Sequence, residues 1–246
     1  MRPMVERSAS LFALYAGVSV VATAATDSRM VDALRAAGVE VQEDGDEQAG
    51  ENRRRAVADA LRSGANCIFS CDFDRWLHWA QCFPEELAAL GSRVANECAD
   101  AWYVCLGRTS RAYTTHPLAQ RVAEKATNHP LSLALGRQVD ATAGASWLTR
   151  EGAEIVLCDS IEPTLATDAE WPMLVHLVDP KRVAFLACEG LEFETADRFG
   201  PEIQAAGGLA AWCNRTYETP EVWESRLRLA TDSVAAITRL LGPPSS

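Results

Sequence analysis

Val18–Thr23 is an unbroken apolar, β-branched run, which predicts a strand, and a helix is predicted ahead of it over 6–16. Thr26, Asp27 and Ser28 supply N-cap residues, and Arg29–Ala37 follows with Met30, Val31 and Leu34 on one helical face until Gly38 stops it. Val39–Gln42 reads as a short strand, and the acidic, glycine-containing stretch 43–51 as a loop. Asn52–Ser63 is helical with Val57 and Leu61 inward, Gly64 ends it, and Asn66–Ser70 is a buried strand. An α-β-α-β-α-β order of this kind implies a parallel sheet covered by helices. In open sheets of that type ligands bind beyond the carboxyl ends of the strands, which is where Asp72 and Asp74 fall.

The pattern is less regular further on. Helices are predicted over 85–97, 117–135, 150–158 and 171–178, with a break or kink at His129-Pro130. Strands are predicted over 101–106, 139–145 and 182–188. Pro220–Leu241 is amphipathic through Val222, Leu227, Leu229, Val234, Ile237 and Leu240, and 242–246 reads as a frayed end. The expected architecture is therefore α/β, a mostly parallel central sheet flanked by helices over 1–200. A C-terminal helical tail, 201–246, packs on it.

Composition narrows the function classes. A formal net charge of -11 argues against a nucleic-acid partner, because phosphate binding needs a basic surface. No apolar stretch approaches the roughly 20 residues of a membrane span, and the N-terminal region alternates like helix then strand instead of reading as an export signal. Eight cysteines form no Cys-x-x-Cys pair and no zinc-finger spacing, which suits a reduced, cytoplasmic compartment.

Five segments carry candidate chemistry. Asp72-Phe73-Asp74 places two carboxylates on one side of an extended chain, a donor pair suited to a hard divalent cation. The competing reading is helix capping and pairing with Arg75. Arg53, Arg54 and Arg55 open the preceding helix and offer bidentate contacts to phosphate or carboxylate. The loop 107–117 holds Arg108, Arg111 and His116 among hydroxyls, suiting an anionic or hydroxylated ligand. Asp168 and Glu170 precede a helix and offer a general base, although acids also favour helix N-termini for capping and dipole reasons. Gly144-Ala145-Ser146 is a small-residue turn that lets a ligand, or simply another element, approach the backbone.

VSVVATAATD, VEVQ, ENRRRAVADAL and ANCIFSCDFD, in that order, resemble the front half of the GT-A nucleotide-diphospho-sugar transferases. The resemblance covers about residues 8–195, without a counterpart of the family's first strand. It implies a Rossmann-like GT-A fold and a metal-dependent glycosyltransferase that moves a sugar from a nucleotide-diphosphate donor to a small hydroxylated acceptor. Mg2+ or Mn2+ would sit on Asp72 and Asp74. Asp27 and Arg53 would contact the donor, Arg108, Arg111 and His116 the acceptor side, and Asp168 or Glu170 would act as base. The alternatives are a GT-A-like binding or assembly protein without catalysis, and an Asp-nucleophile phosphohydrolase. A homodimer is compatible with each.

Overall fold

The computed structural model describes residues 2–45 and 47–242, so most of the expected frayed end lies outside the described residues. In chain order the elements begin with α1 (Arg2–Ser8), a 3-10 segment (Ala9–Leu14), β1 (Ser19–Thr23), α2 (Ser28–Ala36), β2 (Glu40–Gly45), α3 (Ala49–Arg62) and β3 (Cys67–Cys71). They continue with α4 (Phe73–Cys82), α5 (Pro84–Glu97), β4 (Tyr103–Arg108), α6 (Ser110–Thr114), α7 (Leu118–Leu135) and β5 (Ala145–Thr149). The last are α8 (Arg150–Asp159), α9 (Thr167–Val178), β6 (Val183–Cys188), α10 (Gly200–Ala205), α11 (Leu209–Tyr217) and α12 (Pro220–Leu241).

The strands do not form the expected single, mostly parallel sheet. β1 and β2 make a separate two-stranded parallel sheet, and the other four lie in the order β3-β5-β4-β6. Only β4 and β6 run parallel there, because β5 is antiparallel to both of its neighbours. Helices dominate the chain around these two small sheets. The GT-A, Rossmann-like expectation is thereby overturned. Alternating strand and helix patterns report element type, but they leave open which end of the sheet the chain re-enters. Here it re-enters β5 from the opposite end after the segment 136–144.

That segment explains a second difference. A strand is expected at 139–145, but β5 begins only at Ala145. The backbone before it is bonded to side chains instead of a ladder: Val139 N–H donates to Ser132 Oγ (3.0 Å) and Ala141 N–H to Asn128 Oδ1 (3.0 Å). The helix α7 also runs unbroken across Pro130, where a break or kink is expected. β2 runs on into the expected loop, because Gly45, opposite Thr23, lets the chain lie close against the Ala22 carbonyl.

β4 is buried at all six positions, as a strand covered on both faces must be. Its alternation divides the core: Val104 and Leu106 join Trp76, Leu77, Trp79 and Leu90, whereas Tyr103 and Cys105 join Val57, Ile68, Leu148, Met173 and Ile237. Ile237 belongs to α12, so the C-terminal helix is part of the second cluster. It packs on α7 and α9.

Candidate functional site

The carboxyl end of β3 delivers Asp72, which is the N-cap residue of α4 but makes no side-chain cap bond. Its carboxylate turns instead to Arg53 of α3. Arg53 Nη2 donates to both Asp72 oxygens (2.8 and 2.8 Å), and Nε donates to Oδ1 (3.1 Å). The same guanidinium reaches across to the start of α9, where Nη1 donates to Asp168 Oδ1 (2.7 Å) and Thr167 Oγ1 (3.2 Å). One mostly buried arginine thus joins three elements, reaching Asp72 at the end of β3, 19 residues from it along the chain, and Thr167 and Asp168 of α9, 114 and 115 residues from it.

Gly144 closes this arrangement from the far side. Its carbonyl accepts from Asp72 N–H (2.9 Å), its φ is +65°, and a β-carbon there would overlap the Asp72 carboxylate. The small-residue turn accommodates a close-packed carboxylate of the protein itself.

Asp74 does not stand beside Asp72 on an extended strand. It lies in the first turn of α4, and its Oδ1 accepts from Arg75 N–H (3.0 Å). Arg75 is buried and donates to Glu194 Oε2 (3.1 Å). A divalent cation at this pair would have to draw Asp72 away from Arg53. Among the described residues no group of three or more His, Cys, Asp and Glu is placed to hold a metal ion. Together with the sheet topology this removes the basis for the metal-dependent glycosyltransferase, for its GT-A-like binding relative and for the Asp-nucleophile alternative. The first two rest on one GT-A-like sheet, and the third on an Asp-x-Asp displayed at a strand end, where Asp72 is taken up by Arg53 and Asp74 is turned into α4.

A small cavity of about 60 Å³ opens above the Arg53 bridge. Its lining includes Arg53, Asp72, Arg75, Gly144 and Asp168 together with residues of α7 and α12. Asp168 is raised from its ordinary 3.8 to about 6, first by burial, against the lowering pull of Arg53, with Asp72 raising it further. Arg53 is held firmly protonated by the two carboxylates in spite of its burial.

Arg108, at the end of β4, lies behind this cavity and has no side-chain exposure. It donates to Asp140 through Nε and Nη2 (2.8 and 2.7 Å), to Glu124 through Nη1 (2.6 Å) and to Thr142 (3.0 Å). Asn128 and Gln120 complete the network by donating to Asp140 and Glu124. His116 is buried beside it, with Nδ1 against the Ala112 carbonyl, and is pushed down to about 2 by burial and by Arg108 and Arg75.

The other sequence candidates lie apart from the cavity lining. Asp27 caps α2 through Arg29 N–H (2.9 Å) and pairs with the Arg29 side chain. Arg111 is exposed and holds Glu189 and Glu192. Glu170 is fully buried and accepts from Ile161 N–H (3.1 Å), Glu162 N–H (3.2 Å) and Arg239 Nη2 (2.9 Å), which ties the loop after α8 to α12. Thus Asp72, Arg53 and Asp168 converge, while Asp27, Arg111, His116 and Glu170 serve other neighbourhoods. Glu124, Asp140 and Arg226 escape a reading of the sequence, because single acids and arginines on amphipathic helices and loops carry no local signature.

A further ionic tie holds α4 to the segment after β6. His78 is buried, with Nδ1 on Asp197 Oδ2 (2.7 Å) and Nε2 on Glu192 Oε1 (3.2 Å). Burial opposes its charge, but the two carboxylates prevail and raise its pKa above the ordinary 6.5. The contribution to stability is therefore complete below pH 6.5 and is lost as the pH rises through the folded value. His78→Gln is expected to cost about 1.5–3 kcal/mol at pH 6 and distinctly less at pH 9 in urea unfolding, since charge-assisted hydrogen bonds are removed only where the imidazolium exists. An equal cost at both pH values would refute the ionic tie.

No protein-family model matches the chain, and no curated protein and no solved structure matches it either. Among the described residues no helix is long and apolar enough to cross a membrane.

Proposed function

We propose that this protein binds a small polar molecule in the cavity above Arg53 and exchanges a proton with it through Asp168. The observation that carries this reading is the Arg53 bridge. A single, mostly buried guanidinium holds Asp72 and Asp168 in the lining of a cavity, and burial leaves Asp168 with a pKa of about 6. Such a carboxyl changes charge near neutrality and accepts a proton from a hydroxyl or amine more readily than an ordinary aspartate. Arg53 fixes its orientation, and Thr167 fixes the guanidinium in turn. Binding of Mg2+ or Mn2+ at Asp72 and Asp74 is a separate proposal, in which the cation competes with Arg53 for Asp72.

Carboxyl 13C NMR on aspartate-labelled protein tests the reading. One resonance should titrate near pH 6 and vanish in Asp168→Asn, and members of a library of small hydroxylated and amine-bearing molecules should shift it. A resonance that titrates near 4, or one that no library member moves, would overturn it. Stability gives a second check. Asp168 has a raised pKa, so its favourable contribution is present below pH 3.8 and is lost as the pH rises through about 6. Asp168→Asn is therefore expected to gain up to about 3 kcal/mol relative to the unsubstituted protein on going from pH 4 to pH 7, read by urea unfolding.

A further inference from the structure

We propose that Arg226 of α12 is the anion-recognising group of this cavity, and that the bound molecule carries a carboxylate or phosphate group. The inference rests on the cavity being a ligand site, and it specifies what that ligand presents.

Helix α12 turns one stripe toward the cavity: Arg226, Leu229, Ala230 and Ser233, spaced i, i+3, i+4 and i+7. Leu229 and Ala230 are apolar, and the Ser233 hydroxyl donates to the Leu229 carbonyl (2.9 Å). Arg226 is thus the one charged side chain on the stripe. The other two lining arginines are engaged, Arg53 with Asp72 and Asp168 and Arg75 with Glu194. The lining carboxylates are engaged as well, Asp72 and Asp168 by Arg53 and Glu124 by Arg108 and Gln120. Half-buried Arg226 alone among these charges makes no hydrogen bond or ion pair among the described residues.

A guanidinium held at a partly desolvated mouth, without a counter-charge of its own, attracts an anion more strongly than one in open water. Its planar fork matches the paired oxygens of a carboxylate or a phosphate. The space is of the right order. About 60 Å³ is room for roughly four waters, enough for one oxyanion group, while the remainder of a larger molecule would extend outward past α12. The chemistry on opposite sides is complementary: an oxyanion on Arg226 would set a neighbouring hydroxyl or amine toward Asp168.

The full-length chain should be titrated with sodium phosphate and with sodium acetate at constant ionic strength, sodium chloride being the control, by calorimetry. The side-chain 15Nε signal of Arg226 should be followed in the unsubstituted protein. Saturable binding of at least one oxyanion, a shift of the Arg226 signal, and a tenfold or greater weakening in Arg226→Gln are expected. Arg226→Lys should fall between the two. A response to phosphate alone identifies a phosphate group, and a response to acetate alone a carboxylate. Undiminished binding in Arg226→Gln, or an Arg226 signal that chloride moves equally, would overturn the assignment. If neutral molecules shift the Asp168 carboxyl while neither oxyanion binds, the cavity reading survives and the anion assignment fails. If nothing shifts Asp168, the cavity reading itself fails.

Discussion

Replacing Arg108 with methionine is expected to lower the unfolding free energy by about 3–5 kcal/mol. The side chain has no exposure and neutralises two carboxylates, Asp140 and Glu124, that are themselves mostly buried. Arg108 supports the lowered pKa of Asp140. Methionine matches much of the aliphatic volume, so packing changes little while two acids lose their counter-charge. They must then ionise unpaired in a poor solvent or take up protons, and either outcome costs free energy. Urea unfolding at pH 7 with an unchanged slope would measure the loss. The deficit should shrink toward pH 4, where protonation relieves the stranded acids. A loss below 1 kcal/mol would mean that water reaches the network.

Gly144→Ala is expected to cost about 4 kcal/mol, from two sources. A left-handed φ of +65° costs alanine about 1–2 kcal/mol, and the added β-carbon overlaps the Asp72 carboxylate, which must withdraw from Arg53. Gly136 offers the control. It has the same φ of +65° but nothing within 4 Å of a built β-carbon, so Gly136→Ala should show the conformational part alone. The excess at Gly144 reports the crowding of Asp72. That substitution should also lower the Asp168 midpoint below 6, because the raising influence of Asp72 recedes while Arg53 stays. Equal costs at the two glycines would show that Asp72 moves freely.

Much of the element order was legible in the residues. β1, α2, α3, β3, α5 and β4 follow from runs such as Val18–Thr23 and from stop signals at Gly38 and Gly64, and they match the structure within a few residues. Strand sense was not legible. Ala145–Thr149 is equally good in either direction, and only the path of 136–144, held by Ser132 and Asn128 side chains, decides it. The missing parallel sheet follows from that one reversal and from the separation of β1 and β2. At the site, Arg53 and Asp72 are legible because the first turns of a helix and a strand end are conspicuous places. The pattern predicts Asp74 extended beside Asp72, whereas α4 starts at Phe73 and turns it away. Arg226 is not legible, since the residues that line the cavity with it lie in elements far earlier in the chain.

The late position of α12 has a consequence for how the protein is made. Every other wall of the cavity is complete by Asp168, yet Arg226, Leu229, Ala230 and Ser233 leave the ribosome only some sixty residues later. Until then, Glu170 also lacks Arg239, its partner from the same helix. Between the emergence of Asp168 and that of α12, a nascent chain therefore displays an open, charged basin, and ligand capacity should arise as α12 emerges. Stalled chains of increasing length would date that moment to the emergence of one helix.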